Sequence, residues 1–128
     1  MEKEKLNEFY QALEKLKRSS PQQVEAFMGL VDKVERKGAL DTKTKELIAL
    51  VAGMVKHCEW CIAYHTKGAI DAGATEQEII EAAWVGALMD GGPGLAHMVL
   101  VLKALEEFQA KRRNLFYCFV FNPLENPI

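Results

Sequence analysis

Helix-stopping and helix-starting residues come in tandem along this chain, and the stretches between them are too long and unbroken for a set of short strands. Ser20-Pro21-Gln22-Gln23 offers a capping serine, a proline for the first helical position and a glutamine placed to bond back. Gly38 is a terminator and Asp41 a start. Gly73 closes another segment, Thr75-Glu76-Gln77-Glu78 reads as a capping box, and Asp90-Gly91-Gly92-Pro93-Gly94 is a strong break. This punctuation predicts helices near residues 3–18, 20–37, 42–56, 58–72, 76–89 and 95–111. The chain is therefore predominantly helical.

The apolar residues agree in period. Leu6, Phe9, Tyr10, Leu13 and Leu16 recur at helical spacing among charges, so the first helix is amphipathic. Leu47, Ile48, Leu50, Val51, Met54 and Val55 give the third a broad apolar face, which predicts that it is mostly buried. Ala82, Ala83, Gly86 and Ala87 let the fifth approach a neighbour closely. Leu115-Phe116-Tyr117-Cys118-Phe119-Val120-Phe121 is instead aromatic and β-branched, which predicts an extended C-terminal arm over 112–128 that packs on its own or a neighbouring subunit.

A chain of 128 residues that is 49% hydrophobic and 27% charged has the make-up of one globular domain, 1–128, and is too apolar for disorder. The net charge of -2, the interleaved Lys and Glu, and the shortness of Lys111-Arg112-Arg113 argue against a nucleic-acid partner. No apolar run is long enough to span a bilayer, and Met1-Glu2-Lys3-Glu4-Lys5 leads into no signal-peptide segment, so the expected compartment is the cytoplasm. Three cysteines cannot form the multi-bridge framework of a small secreted domain.

Two of those cysteines lie in His57-Cys58-Glu59-Trp60-Cys61-Ile62-Ala63-Tyr64-His65. Residues three apart on a helix share a face, so Cys58 and Cys61 can close a small disulfide loop, and His65 meets Cys61 one turn on. A thiolate is stabilised at a helix N-terminus and beside an imidazolium, and both are available here. Cys61 is thus a candidate attacking thiol, His65 its base, and Cys58 the thiol that resolves a sulfenic acid or mixed disulfide, after which a reductant must reset the pair. Trp60 and Tyr64 are candidate walls of a substrate pocket. The alternatives are a redox sensor or a metal site made by the two thiols with His65, although His97 and Cys118 lie too far along the chain to supply an evident fourth ligand. His57 reads as a helix-end residue satisfied by backbone carbonyls, and His97 as a capping or packing residue. Glu46, beside Lys43 and Lys45, reads as a solvated charge.

Glu46, eleven residues, and then Cys58-x-x-Cys61-x-x-x-His65 resembles the signature of the AhpD-like alkylhydroperoxidases within the carboxymuconolactone decarboxylase family. The likeness extends over about residues 25–108, through Leu40-Asp41-Thr42, Asp71-Ala72-Gly73-Ala74-Thr75 and Gly91-Gly92-Pro93. It implies an all-α bundle of about six helices that assembles into homo-oligomers, trimers or hexamers, with the thiols in a pocket between packed helices. It also implies a proton relay in which Glu46 orients or charges His65. The activity implied is a thiol-dependent peroxidase or disulfide reductase acting on organic hydroperoxides or small disulfides. Its redox centre is the Cys58–Cys61 couple without a further cofactor, and a dithiol protein recharges it. Trp60 stands where the best-characterised hydroperoxidases carry a histidine. The decarboxylase branch, which usually lacks the cysteine pair, leaves a non-redox enzyme as the alternative within the family.

Overall fold

The computed structural model describes residues 1–121, with side chains described as far as Gln109. It is an all-helical bundle of α1 (Glu2–Ser19), α2 (Pro21–Glu35), α3 (Thr42–Val55), α4 (Glu59–Asp71), α5 (Glu76–Asp90) and α6 (Gly92–Phe121). No strand occurs among the described residues, and no helix there is long and apolar enough to cross a membrane.

Local chemistry sets the helix ends. The Asp41 carboxylate accepts the Thr44 N–H at 2.8 Å to open α3. Thr75 and Glu78 exchange the two bonds of a capping box at the start of α5, each 3.1 Å. Gly73, at φ 94°, ends α4 with its own N–H on the Ile70 carbonyl and the Ala74 N–H on that of Ala69. The Ser20 box does not form. Ser20 is the only residue between α1 and α2; it closes the first through its N–H to the Leu16 carbonyl at 2.7 Å, and its side chain makes no bond to the second. The α2 helix also stops earlier than its sequence predicts. Arg36 turns extended, while Thr42 Oγ1 donates to the Glu35 carbonyl at 2.9 Å and Lys45 Nζ to those of Val34 and Arg36. The first turn of α3 thereby caps the last turn of α2.

The α6 helix corrects two expectations. It opens at Gly92 rather than near 95, with the Leu95 N–H already bonded to the Gly91 carbonyl. It also runs to Phe121, so 112–121 is helical and not the start of an extended arm. No glycine or proline interrupts 111–121, each further helical residue adds a backbone bond, and β-propensity has little force where no sheet accepts the strand. The remainder of the expected arm, 122–128, lies outside the described residues.

A single core joins Leu50 and Met54 of α3, Ile62, Ala69 and Ile70 of α4, Ile79, Ala83 and Ala87 of α5, and Met98, Val101 and Leu105 of α6. The α1 helix lies against α4 and α6, burying Leu6 and fixing its first turn through the Lys3 N–H, which donates to Glu107 Oε2 at 2.9 Å. The α2 helix packs on α1 and meets α3, with Val24 buried and Phe27, Leu30 and Val34 exposed. Between α3 and α4 the spacing is set by glycine: a Cβ on Gly53 would stand 2.9 Å from Cys61 Cβ, tighter than any real contact.

This contact predicts opposite outcomes for two changes of the same kind. Alanine in place of helical glycine gains up to about 1 kcal/mol where space is free, as at Gly29, which has nothing within 4 Å of its added methyl. At Gly53 the overpacking costs about 1–3 kcal/mol. Urea midpoints are therefore expected to rise in Gly29→Ala and fall in Gly53→Ala.

Candidate active site

The turn from α3 into α4 fixes the first cysteine. The Cys58 N–H donates to the Gly53 carbonyl and the His57 N–H to that of Met54, each at 3.0 Å, with His57 in the left-handed region at φ 53°. A side chain there is uncommon and needs support. His57 has it, though not from backbone carbonyls as its position implied: Nε2 lies 2.7 Å from Asp90 Oδ2, and the ring stacks on His97 with centroids 4.5 Å apart. His97 is in turn held through Nδ1 to the Pro93 carbonyl at 2.7 Å. This cluster joins the α3–α4 corner to the α5–α6 corner.

Cys58 is the N-cap of α4, and its sulfur accepts the Cys61 N–H at 3.2 Å. The two cysteines form a disulfide, with Cα atoms 5.2 Å apart. Both sulfurs sit in the first turn, where free N–H groups and the helix dipole favour negative charge, so reduction releases thiols into a setting that stabilises thiolate. Cys61 is half-buried.

One turn along, His65 Nδ1 lies 2.8 Å from Glu46 Oε2. Glu46 is only 4% exposed, so it is not the solvated charge that its lysine neighbours imply. A buried carboxylate requires a donor, and His65 supplies one. Because a carboxylate can only accept, Nδ1 carries the hydrogen, and the Nε2 lone pair is left free to take a proton. Gly68 makes the room: a Cβ there would lie 2.5 Å from Glu46 Oε2.

Three residues that the sequence reading passed over complete the arrangement. Gly53 and Gly68 are the small positions on which Cys61 and Glu46 rest. An isolated glycine inside a helical pattern is the signal that could have found them. The third is Glu35, in the last turn of α2, whose carboxylate lies with that of Glu46 and the His65 ring in a group of ligand atoms all within 4.8 Å of one another. Its signal is its place on the stripe Val24, Met28, Val31, Glu35, which faces inward. The sulfurs, joined to each other, are not among these ligand atoms, and His65 Nδ1 is bonded to Glu46. Burial, then the negative charge of Glu46, push the Glu35 carboxyl above its ordinary value against the pull of His65.

A cavity of about 780 Å³ opens onto these groups. Phe9, Leu13 and Leu16 of α1 and Val24, Phe27, Met28 and Val31 of α2 form its apolar sides, and Gln23, Glu35, Trp60, Cys61, Tyr64 and His65 also line it. Trp60 and Tyr64 thus both stand in its wall. Trp60 Nε1 points to Glu8 Oε2 at 3.4 Å. Tyr64 packs edge-on to Phe9 and His65, and burial, followed by nearby Glu35, holds its phenol above the usual value and so protonated.

The sequence model described as the carboxymuconolactone decarboxylase family matches residues 21–104. An uncharacterised protein of the cox locus of Paracoccus denitrificans is 46% identical over 83 residues, which span 65% of this chain and 75% of that protein. An uncharacterised protein of Cupriavidus necator is 32% identical over 108 residues, 84% of this chain and 93% of that one. Among solved structures, a carboxymuconolactone decarboxylase family protein from Legionella pneumophila superposes with a TM-score of 0.81 at 33% identity, covering 84% of this chain and 96% of that one. A family member from Thermotoga maritima, for which a part in the antioxidative response has been suggested, gives 0.77 at 33% identity over 86% and 94%. On sequence and on fold alike, the chain belongs to the carboxymuconolactone decarboxylase family.

Proposed function

We propose that the protein is a thiol peroxidase of the AhpD-like kind, reducing organic hydroperoxides through the Cys58–Cys61 couple and working in a reducing compartment such as the cytoplasm. The observation that carries this reading is the disulfide itself, held at the N-terminus of α4 with Cys61 on the wall of an apolar cavity beside His65, whose ring is bonded to Glu46. A pair that existed only for stability would have no need of an adjoining cavity or a free imidazole nitrogen. The apolar sides favour a peroxide carrying a hydrocarbon group over hydrogen peroxide. The suggested antioxidative role of the Thermotoga maritima relative points the same way.

In the cycle we propose, His65 Nε2 takes the Cys61 proton and the thiolate attacks the distal peroxide oxygen, forming S–O as O–O breaks. The sulfur becomes a sulfenic acid and the peroxide an alcohol. Cys58 then attacks that sulfur, forming the disulfide and releasing water, and an external dithiol protein returns both thiols by exchange. The same last step read from the other side is a disulfide reductase activity.

Exposed apolar residues cluster on α5 and α6, among them Trp84, Leu88 (79% exposed), Met89, Leu95, Val99 and Leu102. A face of this kind calls for cover. We assign it to contact with further copies of the chain, in keeping with the trimers or hexamers implied by the family resemblance.

Stopped-flow mixing of reduced protein with cumene hydroperoxide is expected to consume two thiols per chain. Cys61→Ser should be inert, and Cys58→Ser should halt at a sulfenic acid that dimedone traps; a Cys61→Ser protein as fast as the parent would refute the assignment. His65→Ala is expected to lose about 10²–10⁴-fold in rate near neutral pH, with partial recovery at alkaline pH where the thiol ionises unaided. For assembly, light scattering should report the multi-chain mass for the parent and a single-chain mass for the double change Leu88→Glu, Met89→Glu.

A further inference from the structure

We propose that Glu35 is the general acid of this site, supplying the proton that the departing oxygen needs when the peroxide bond breaks. The inference rests on the peroxide reading above and adds to it a residue outside the cysteine–histidine–glutamate signature.

An alkoxide is a poor leaving group, and the sides of the cavity, mostly phenylalanine, leucine and valine, present few groups that could hand it a proton as it forms. A built-in donor is needed. Glu35 meets three requirements for one. It lines the same cavity wall as Cys61 and His65. Its position is fixed, because the Thr42 hydroxyl and the Lys45 ammonium hold the carbonyls of the last α2 turn. It also stands near a source of replacement protons, since ligand atoms of its carboxyl, of the Glu46 carboxyl and of the His65 ring lie within 4.8 Å of one another. The charged and titratable groups around it are Glu46 from α3, His65 and Tyr64 from α4, and Asp32 from its own helix. Two carboxyl groups this close share a proton more readily than they both ionise, and burial favours the same outcome.

The protons then balance. The proton taken from Cys61 rests on His65 while the sulfur attacks. As O–O breaks, its electron pair goes to the leaving oxygen, which receives the Glu35 proton and departs as alcohol. The Nδ1 proton of the imidazolium passes through Glu46 to Glu35, so that one thiol and one hydroperoxide yield one sulfenic acid and one alcohol with the carboxyl restored, and the neutral ring regains its Nδ1–H form by proton exchange with water before the next turnover. Tyr64 is the rival donor on the wall. Its phenol is held above its usual value and is a weaker acid than a carboxylic acid.

Leaving-group dependence provides the test, with the full-length reduced protein and its Glu35→Gln, Glu35→Asp and Tyr64→Phe variants. tert-Butyl hydroperoxide must expel an alkoxide, peracetic acid expels a carboxylate that needs no proton, and iodoacetamide reports the thiolate alone. Glu35→Gln is expected to slow the first reaction by about 100-fold or more while leaving the other two within about threefold, with partial rescue in Glu35→Asp and no such pattern in Tyr64→Phe. An equal loss with all three reagents, or none with any, overturns the assignment. If the parent reacts with neither peroxide faster than a free thiol, the peroxidase reading falls and this one with it. Folding gives a second measurement. A carboxyl raised in the folded state binds more protons there than in the unfolded chain, so its ionisation opposes folding as pH rises above the unfolded value of about 4.3. Glu35→Gln should therefore gain stability relative to the parent as pH rises above that unfolded value. Parallel stability curves would overturn the assignment.

Discussion

The α3 and α4 helices meet at two glycines, and everything chemical about this protein depends on that closeness. Gly53 lets the Cys61 side chain lie against the α3 backbone, and Gly68 lets the Glu46 carboxylate lie against the backbone of α4. With ordinary side chains at either point the helices would stand further apart. Glu46 would lose His65, and a buried carboxylate without a donor is far more costly than the bond itself is favourable. The hydrogen bond between Glu46 and His65 is therefore both a product of tight packing and a reason that the packing must be kept.

What the sequence made legible follows from the range of the forces involved. Caps and terminators act within a few residues, so Asp41, Gly73 and the Thr75–Glu78 pair could be read directly and took the predicted form. The Cys58–Cys61 pair is equally local. Ser20 failed as a cap because a single residue had to serve two helices, a conflict that neither helix shows by itself. The reading of 112–121 failed because aromatic and β-branched residues prefer strands only where a sheet receives them. Glu46 is instructive in another way. Its neighbours in sequence are lysines, and nothing within one turn marks it as buried; only the family resemblance gave it a role, and the partner that explains it comes from a helix nineteen residues on.

Glu35 lies further beyond reach, because its significance arises where the end of α2 meets the bodies of α3 and α4. Its cost is visible in the structure. A carboxyl pressed against another carboxylate weakens the fold near neutral pH, while hydroxyl and ammonium groups from α3 hold the same helix end in place. The firm capping of that helix end offsets part of the cost of holding a carboxyl there.

The labour in this bundle is divided by helix. The sulfurs, imidazole and Glu46 belong to α3 and α4, which are anchored in the core, whereas most of the cavity wall belongs to α1 and α2, the peripheral pair joined through Ser20. Substitutions along that outer pair, Glu35 excepted, can reshape the chamber without disturbing the cysteine pair or the bond between His65 and Glu46. Within such a scaffold the shape of the chamber is free to drift while the residues at its inner wall stay the same, and an engineer who wants a new guest has most of two helices to rewrite and two to leave alone.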